Sequence, residues 1–239
     1  FNLCMSRPEP IPFFGELGSV NPMFCLPKAM QTRAGALAQG WAASLTMGAG
    51  QFCTNPGIAF VIAGAQANEF AEASIAALSG AGAQAMLTDG IASAYRHGTN
   101  AVASAAHVEP LFTTESVGRT ALPNLFRVSL EHWLHSPDLQ EEVFGPLGII
   151  VEANDIDEMV AAAGAIEGQL TCTLQMEDGD KAHAQRLLPH LERKAGRVLV
   201  NGFPTGVEVA GAMVHGGPYP ASTNFGATSV GTMAIRRFL

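Results

Sequence analysis

The sequence predicts an α/β fold, a mainly parallel open sheet with helices on both faces, running through residues 1–239 as one unit. Three observations lead there. Short apolar runs alternate with longer alanine-rich or amphipathic stretches, the rhythm of strand–helix–strand crossovers. Hydrophobic residues make up 48% of the chain and charged ones 14%, which suits a sizeable buried core and is incompatible with disorder. No repeat, low-complexity tract or long linker divides the chain.

Taken in order, residues 8–12 carry three prolines and read as a local extended segment. The apolar run 20–26 is the first expected strand, and the alanine-rich stretch 28–47 the first long helix. A second strand is expected at 58–63 and a helix at 65–78, closed by the glycines of Ser79-Gly80-Ala81-Gly82. That glycine pattern is too poor for a dinucleotide fingerprint. A helix at 90–103 and strands at 126–130 and 147–152 follow. Asn154 or Asp155 caps a helix at 155–165, and Asp178, with acidic residues in the first turn, opens another at 178–191. Strands at 170–176 and 197–200 complete the set. Residues 202–231 are rich in Gly, Pro, Ser and Thr, and so long an irregular stretch inside a compact domain is usually functional.

Composition narrows the partners. A net charge of −8 with no basic run argues against nucleic acid. Apolar runs such as 57–63 are too short to span a bilayer, and the amino end lacks a secretory pattern, so no membrane partner is expected. Cys4, Cys25, Cys53 and Cys172 are scattered without metal-ligand spacing, which fits a reducing cytoplasm. The chain opens at Phe1 without a methionine, as a piece of a longer protein would.

Gly50-Gln51-Phe52-Cys53-Thr54-Asn55-Pro56-Gly57 is the most informative stretch. A free cysteine is usually a small buried hydrophobe. Here Gly48 and Gly50 interrupt the helix before it, and Pro56-Gly57 turns the chain after it, which a structural cysteine does not need. Such a loop brings backbone N–H groups close to a nucleophile and leaves room for a substrate. Because Cys53 follows the carboxyl end of a helix, the helix dipole does not favour a thiolate. A free thiol has a pKa of about 8.5, so activation must come from elsewhere.

Three other positions stand out. Glu16 is flanked by Gly15 and Leu17-Gly18, Glu142 precedes a strand, and Asn201 ends the strand 197–200, where open parallel sheets usually bind ligands. Taken singly, these would be a solvated glutamate, another, and a turn residue.

Glu16-Leu17-Gly18, Gly50-Gln51-Phe52-Cys53, Glu142-Val143-Phe144-Gly145-Pro146 and Val200-Asn201-Gly202, in that order, resemble the motifs of the catalytic half of the aldehyde dehydrogenase superfamily. The resemblance spans nearly the whole chain. It implies the fold of that catalytic domain over residues 1–239, with a nucleotide-binding domain expected upstream. It also implies NAD or NADP as cofactor, a small-molecule aldehyde as substrate, and a homo-oligomer when full length. Cys53 would be the nucleophile and Glu16 the base that activates water. Glu142 would bond the nicotinamide ribose and Phe144 pack beside it. Gln51, Phe52, Asn201 and Phe225 would line the substrate and oxyanion surroundings.

The stretch from Arg7 to Pro22 is similar to the branch acting on 2-oxoglutarate semialdehyde (2,5-dioxopentanoate). Gly18-Ser19-Val20 stands where most of the superfamily has glycine-glycine-lysine, a departure that fits this branch. A broad aliphatic aldehyde dehydrogenase and a purely structural assembly domain are the competing readings. An oxo-acid carboxylate calls for Arg or hydroxyl donors, for which Arg7, Ser222, Thr223 and Asn224 are candidates. His132 and His135 have no third metal ligand nearby, and no spacing singles out His107 or His215. A Cys–His dyad leaves no mark in sequence, because its partners need not be neighbours in the chain.

Overall fold

The computed structural model describes residues 1–239. A one-turn helix, α1 (Asn2–Met5), and an extended segment lead into β1 (Met23–Cys25) and the long α2 (Pro27–Thr46). Next come β2 (Ile58–Ile62), α3 (Ala65–Ser79), β3 (Gln84–Ala85), α4 (Asp89–Ser104), β4 (Glu109–Phe112), β5 (Thr120–Ala121) and β6 (Asn124–Ser129). Then α5 (Leu130–Leu134), β7 (Leu147–Ala153), α6 (Ile156–Ala165), β8 (Gln169–Gln175), α7 (Lys181–Lys194) and β9 (Ala195–Val200) complete the regular part.

Seven strands form one sheet in the order β4-β6-β7-β2-β1-β8-β9. Every neighbouring pair is parallel except β4, which runs antiparallel to β6 at one edge. β3 and β5 make a separate antiparallel ribbon. The expected open α/β sheet is therefore present.

The core shows why the central strands read as continuous apolar runs: they are covered on both faces. Met23 and Cys25 of β1 turn towards α2 and α3, where they meet Leu37, Trp41, Leu45 and Phe70. Phe24, between them, points to the opposite layer with Phe60, Phe126, Tyr95, Trp133, Met159 and Leu187. Phe24 and Phe60 stack at 4.7 Å, and Trp133 meets Phe60 edge-on at 5.1 Å.

Several elements differ from expectation, each for a local reason. β1 shrinks to three residues because Asn21 sits at φ 47 and Pro22 follows it. The long helix starts at Pro27, whose missing N–H is no loss in a first turn, and it is broken at Arg33 (φ −148, ψ 32). Asp178 does not open α7. It begins a 3₁₀ turn, Asp178–Asp180, closed by reciprocal bonds between Glu177 and Asp180. Fully buried Asp180 also accepts from the Lys28 and Ala29 N–H groups, at 2.9 and 3.0 Å, and so caps α2 from a distant segment. Asp155 caps α6 as expected, accepting from Asp157 and Glu158. α1, α5, the edge strand β4 and the β3–β5 ribbon were not expected; all are short.

A buried polar network ties together the amino ends of β1, β2 and β8. Asn21 Nδ2 donates to the carbonyls of Cys53 (2.9 Å), Asn55 (3.0 Å) and Ser19 (3.1 Å). Its Oδ1 accepts from the Thr171 N–H and hydroxyl and from the Ser19 hydroxyl. Gln169 Oε1 accepts from the N–H groups of Val20 and Asn21 and from Ser19 Oγ. Asn21 is 0% exposed, so its removal would leave several of these groups unpaired out of reach of water. Asn21→Ala should lower the unfolding free energy by about 2–4 kcal/mol, since each orphaned group costs about 1–3 kcal/mol. Urea unfolding of the two proteins measures it, with an unchanged slope expected.

Candidate active site

After α2 the chain reverses through Gly48, Ala49 and Gly50, all with positive φ (57, 59 and 66). A Cβ on Gly50 would lie 2.3 Å from the carbonyl carbon of Gly145, so only glycine fits where the two loops touch. Asn55 Nδ2 bridges them by donating to the carbonyls of Gly50 (2.8 Å) and Gly145 (3.1 Å). Cys53 emerges half-buried from this braced turn, at the amino end of β2.

Glu16 arrives from the amino-terminal segment, which pairs with the irregular carboxyl-terminal segment. Glu16 and Ser222 form an antiparallel bridge, the Leu17 N–H donates to Ala221, and Thr223 Oγ1 accepts from the Gly15 N–H at 2.8 Å. The same segment brings in His215, which is 1% exposed. Its N–H donates to Thr228 Oγ1 at 2.7 Å and its carbonyl accepts from the Ser229 N–H at 3.1 Å.

These three side chains converge. His215 Nε2 lies 3.0 Å from Cys53 Sγ and 3.4 Å from Glu16 Oε2, and Ser229 Oγ donates to that oxygen at 2.6 Å. One side-chain atom from each of Glu16, Cys53 and His215 falls within 4.8 Å of the others, a convergence that their spacing in the sequence did not disclose. The hydrogen bond to Cys53, followed by that to Glu16, lifts His215 to about 9 against the opposing effect of burial. For Glu16, burial is the largest influence and pushes upward. The bonds from His215 and Ser229 and the histidine charge outweigh it, so the carboxyl ends below its usual value. Arg197 of β9 is also coupled to Cys53. Burial pulls its guanidinium down, the cysteine charge opposes this, and its Nη2 is buried without a partner.

Glu142 stands next door. Its Oε2 accepts only a long bond, 3.4 Å, from the Ser19 N–H, and it borders a cavity of about 460 Å³ shared with Leu17, Trp133 and Gln169. Burial raises Glu142 to about 7, the Ser19 bond resists, and the charge of Glu16 adds to the rise. Phe144 is half-buried in the loop before β7, lining a small cleft with Gly50 and Asn55.

Other expected site residues are placed differently. Gln51 spends its side chain on the loop, accepting from the Leu87 N–H at 2.8 Å and donating to Gly48 at 3.0 Å. The Phe52 ring packs against Gly48. Asn201 lies at the carboxyl end of β9, away from Cys53, and its Oδ1 accepts from the Met176 N–H (2.9 Å) and Arg33 (2.6 Å). The rule that open sheets bind ligands at the carboxyl ends of strands pointed to the wrong end, because Cys53, Glu16 and Gln169 all gather at amino ends. Phe225 is 54% exposed. Ser222 and Thr223 are committed to backbone partners, and Asn224 Oδ1 to Gly226. Sequence reasoning weighed His215 and set it aside, because nothing in its spacing marks it as a partner of Cys53.

The architecture is that of the aldehyde dehydrogenases. γ-Glutamyl-γ-aminobutyraldehyde dehydrogenase of Burkholderia cenocepacia superposes with a TM-score of 0.74 at 20% identity, over 93% of this chain and 44% of its own. Aldehyde dehydrogenase C of Pseudomonas syringae, solved with NAD+ and octanal, gives 0.74 at 17% identity, over 93% of this chain and 45% of its own. In sequence the chain is a relative of the α-ketoglutaric semialdehyde dehydrogenases. It is 48% identical to the enzyme designated 2 in Azospirillum brasilense over 99% of this chain, and 43% identical to the Acinetobacter baylyi enzyme over 100% of it. It spans 46% of the length of each, and no family model matches it.

The raised Glu142 carboxyl makes stability pH-dependent. Its proton is held more tightly folded than unfolded, so its contribution is full below the unfolded value of 4.5 and is lost as pH rises through about 7. Glu142→Gln should therefore stabilise the chain more at about pH 8 than at about pH 5, by thermal melts at both.

Proposed function

We propose that this chain is the catalytic portion of an NAD(P)-dependent aldehyde dehydrogenase whose substrate is 2-oxoglutarate semialdehyde and whose product is 2-oxoglutarate. The observation carrying it is the meeting of Cys53 with Glu16, a nucleophile and a carboxylate from remote segments, in a chain 43–48% identical to α-ketoglutaric semialdehyde dehydrogenases.

Cys53 Sγ attacks the aldehyde carbon, and the carbonyl electrons move to oxygen, giving a thiohemiacetal oxyanion. Backbone N–H groups in the Cys53 turn are the candidate donors to it. A bound nicotinamide supplies the hydride acceptor that turns this adduct into a thioester. Glu142 fits the ribose of such a cofactor, since its carboxylate has acceptor capacity to spare beside the cavity. Phe144 would flank it, and the remaining nucleotide contacts are assigned to a domain upstream of Glu16. Glu16 then takes a proton from water, the hydroxide attacks the thioester carbon, and the C–S bond breaks to free the acid and Cys53. The side chain of Glu16 is 27% exposed, so water can reach it. The full-length protein is read as a cytoplasmic homo-oligomer, to be checked by light scattering; no helix here is long and apolar enough to cross a membrane.

The isolated chain tests the thioester half of the scheme without cofactor. A pulse of p-nitrophenyl acetate should leave one acetyl group on Cys53 that decays. Cys53→Ala should show none. In Glu16→Gln the adduct should persist, its hydrolysis slowed by about 10²–10⁴-fold. Labelling spread evenly over Cys4, Cys25 and Cys172 would sink the assignment. In the full-length protein, Cys53→Ser should abolish aldehyde oxidation. Equal turnover of apolar and carboxylated aldehydes there would favour a broad aliphatic enzyme.

A further inference from the structure

The scheme above leaves open how a cysteine at the carboxyl end of a helix becomes a nucleophile at neutral pH. The structure supplies a group for this that neither the motifs nor the sheet topology required. His215 is 1% exposed and its Nε2 is 3.0 Å from Cys53 Sγ, within reach of a direct proton transfer. Its backbone is pinned by Thr228 and Ser229, while the ring's other nitrogen, Nδ1, is buried without a partner, so Nε2 makes all the ring's polar contacts. On the same side of the ring, 3.4 Å from the same Nε2, stands the Glu16 carboxylate, itself oriented by Ser229 Oγ.

We propose that His215 is a further catalytic residue, the base that takes the Cys53 proton and pairs with the resulting thiolate, its positive charge offset by Glu16. This rests on the reading of Cys53 as nucleophile. The step balances within the cluster: the S–H bond breaks, an Nε2–H bond forms, and the total charge of Cys53, His215 and Glu16 is unchanged. The geometry is that of a thiol and an imidazole one direct proton transfer apart. The other charges bearing on the cluster are Arg197, which favours an anionic sulfur, and Glu142, which acts through Glu16. The elevated basicity of His215 is in keeping with the same pairing.

The arrangement also orders the two half-reactions. While the imidazolium stands beside it, Glu16 is held as a carboxylate of low basicity. Acylation turns Cys53 Sγ into a neutral thioester sulfur, so the ring loses the nearer of the two partners that held its proton, with Glu16 remaining. That proton leaves to water along the partly exposed Glu16, and the carboxylate regains basicity when water must be activated.

The test is the pH profile of Cys53 alkylation by iodoacetamide, read peptide by peptide by mass spectrometry, with N-acetylcysteine as the free-thiol reference. Cys53 should keep reacting at about pH 6, at least about tenfold faster than a free thiol whose profile falls away below about 8.5. His215→Asn and His215→Phe should move the Cys53 profile onto that of the free thiol, with folding checked by circular dichroism. A readout that leaves the histidine in place is its ring signal in NMR: the His215 midpoint should fall by at least about one unit in Cys53→Ala. An unchanged profile in the His215 variants, an unchanged midpoint in Cys53→Ala, or a Cys53 inert at every pH would overturn the proposal. A His215-dependent profile without any acyl adduct from the ester would instead leave the pair standing and refute the nucleophile assignment of the preceding section.

Discussion

The carboxamides of Asn21 and Gln169 are the constraint on which the site depends. Both are nearly or fully buried, and between them they hold the loop before β1, the Cys53 turn and the start of β8 in one register. In a low-dielectric interior such bonds are strong when complete and costly when broken, so the network tolerates few alternative geometries. Asn21 adopts a positive φ that suits asparagine, and thereby keeps β1 from starting until the polar cluster has been passed. The layers of Phe24, Phe60 and Trp133 on one face, and Trp41 and Phe70 on the other, supply the platform against which this register is set.

Two glutamates close to one another are driven in opposite directions by their surroundings. Glu16 meets a histidine and a hydroxyl, so it stays ionised despite partial burial. Glu142 is largely buried and has an acidic neighbour, and its one long backbone contact does not offset them, so it holds its proton to about 7. Identical side chains thus acquire different charge states from burial and partners together: one is kept ionised, the other holds its proton.

Much of the scaffold was legible because it is written locally. The apolar runs of β2, β7 and β8, the alanine-rich α3 and the Asp155 cap can each be read from a few consecutive residues. So could the glycines around Cys53, since Gly50 cannot carry a side chain where it meets Gly145. What escaped depends on partners far along the chain. The cap of α2 by Asp180, the kink at Arg33 and the arrival of His215 beside Cys53 are separated by more than a hundred residues from the groups that explain them. Asn201 was singled out by the rule about sheet ends and by the Val200-Asn201-Gly202 motif, neither of which shows that its carboxamide is engaged with Arg33 and Met176.

The segment carrying His215 and Ser229 owns no strand or α-helix between Gly202 and Gly231; the hydroxyls of Thr228 and Ser222 brace it internally, and Thr223, Ala221 and Thr205 tie it to Gly15, Leu17 and Ser44. Cys53 instead rests on the sheet. The histidine facing the sulfur therefore depends on a segment with no sheet or helix ladder of its own. On heating, the imidazole would peel away while the sheet is still intact. Thermal inactivation of the cysteine would be a distinct, reversible event ahead of the cooperative melt, and any ligand that clasps the carboxyl-terminal segment would protect reactivity more than it protects the fold.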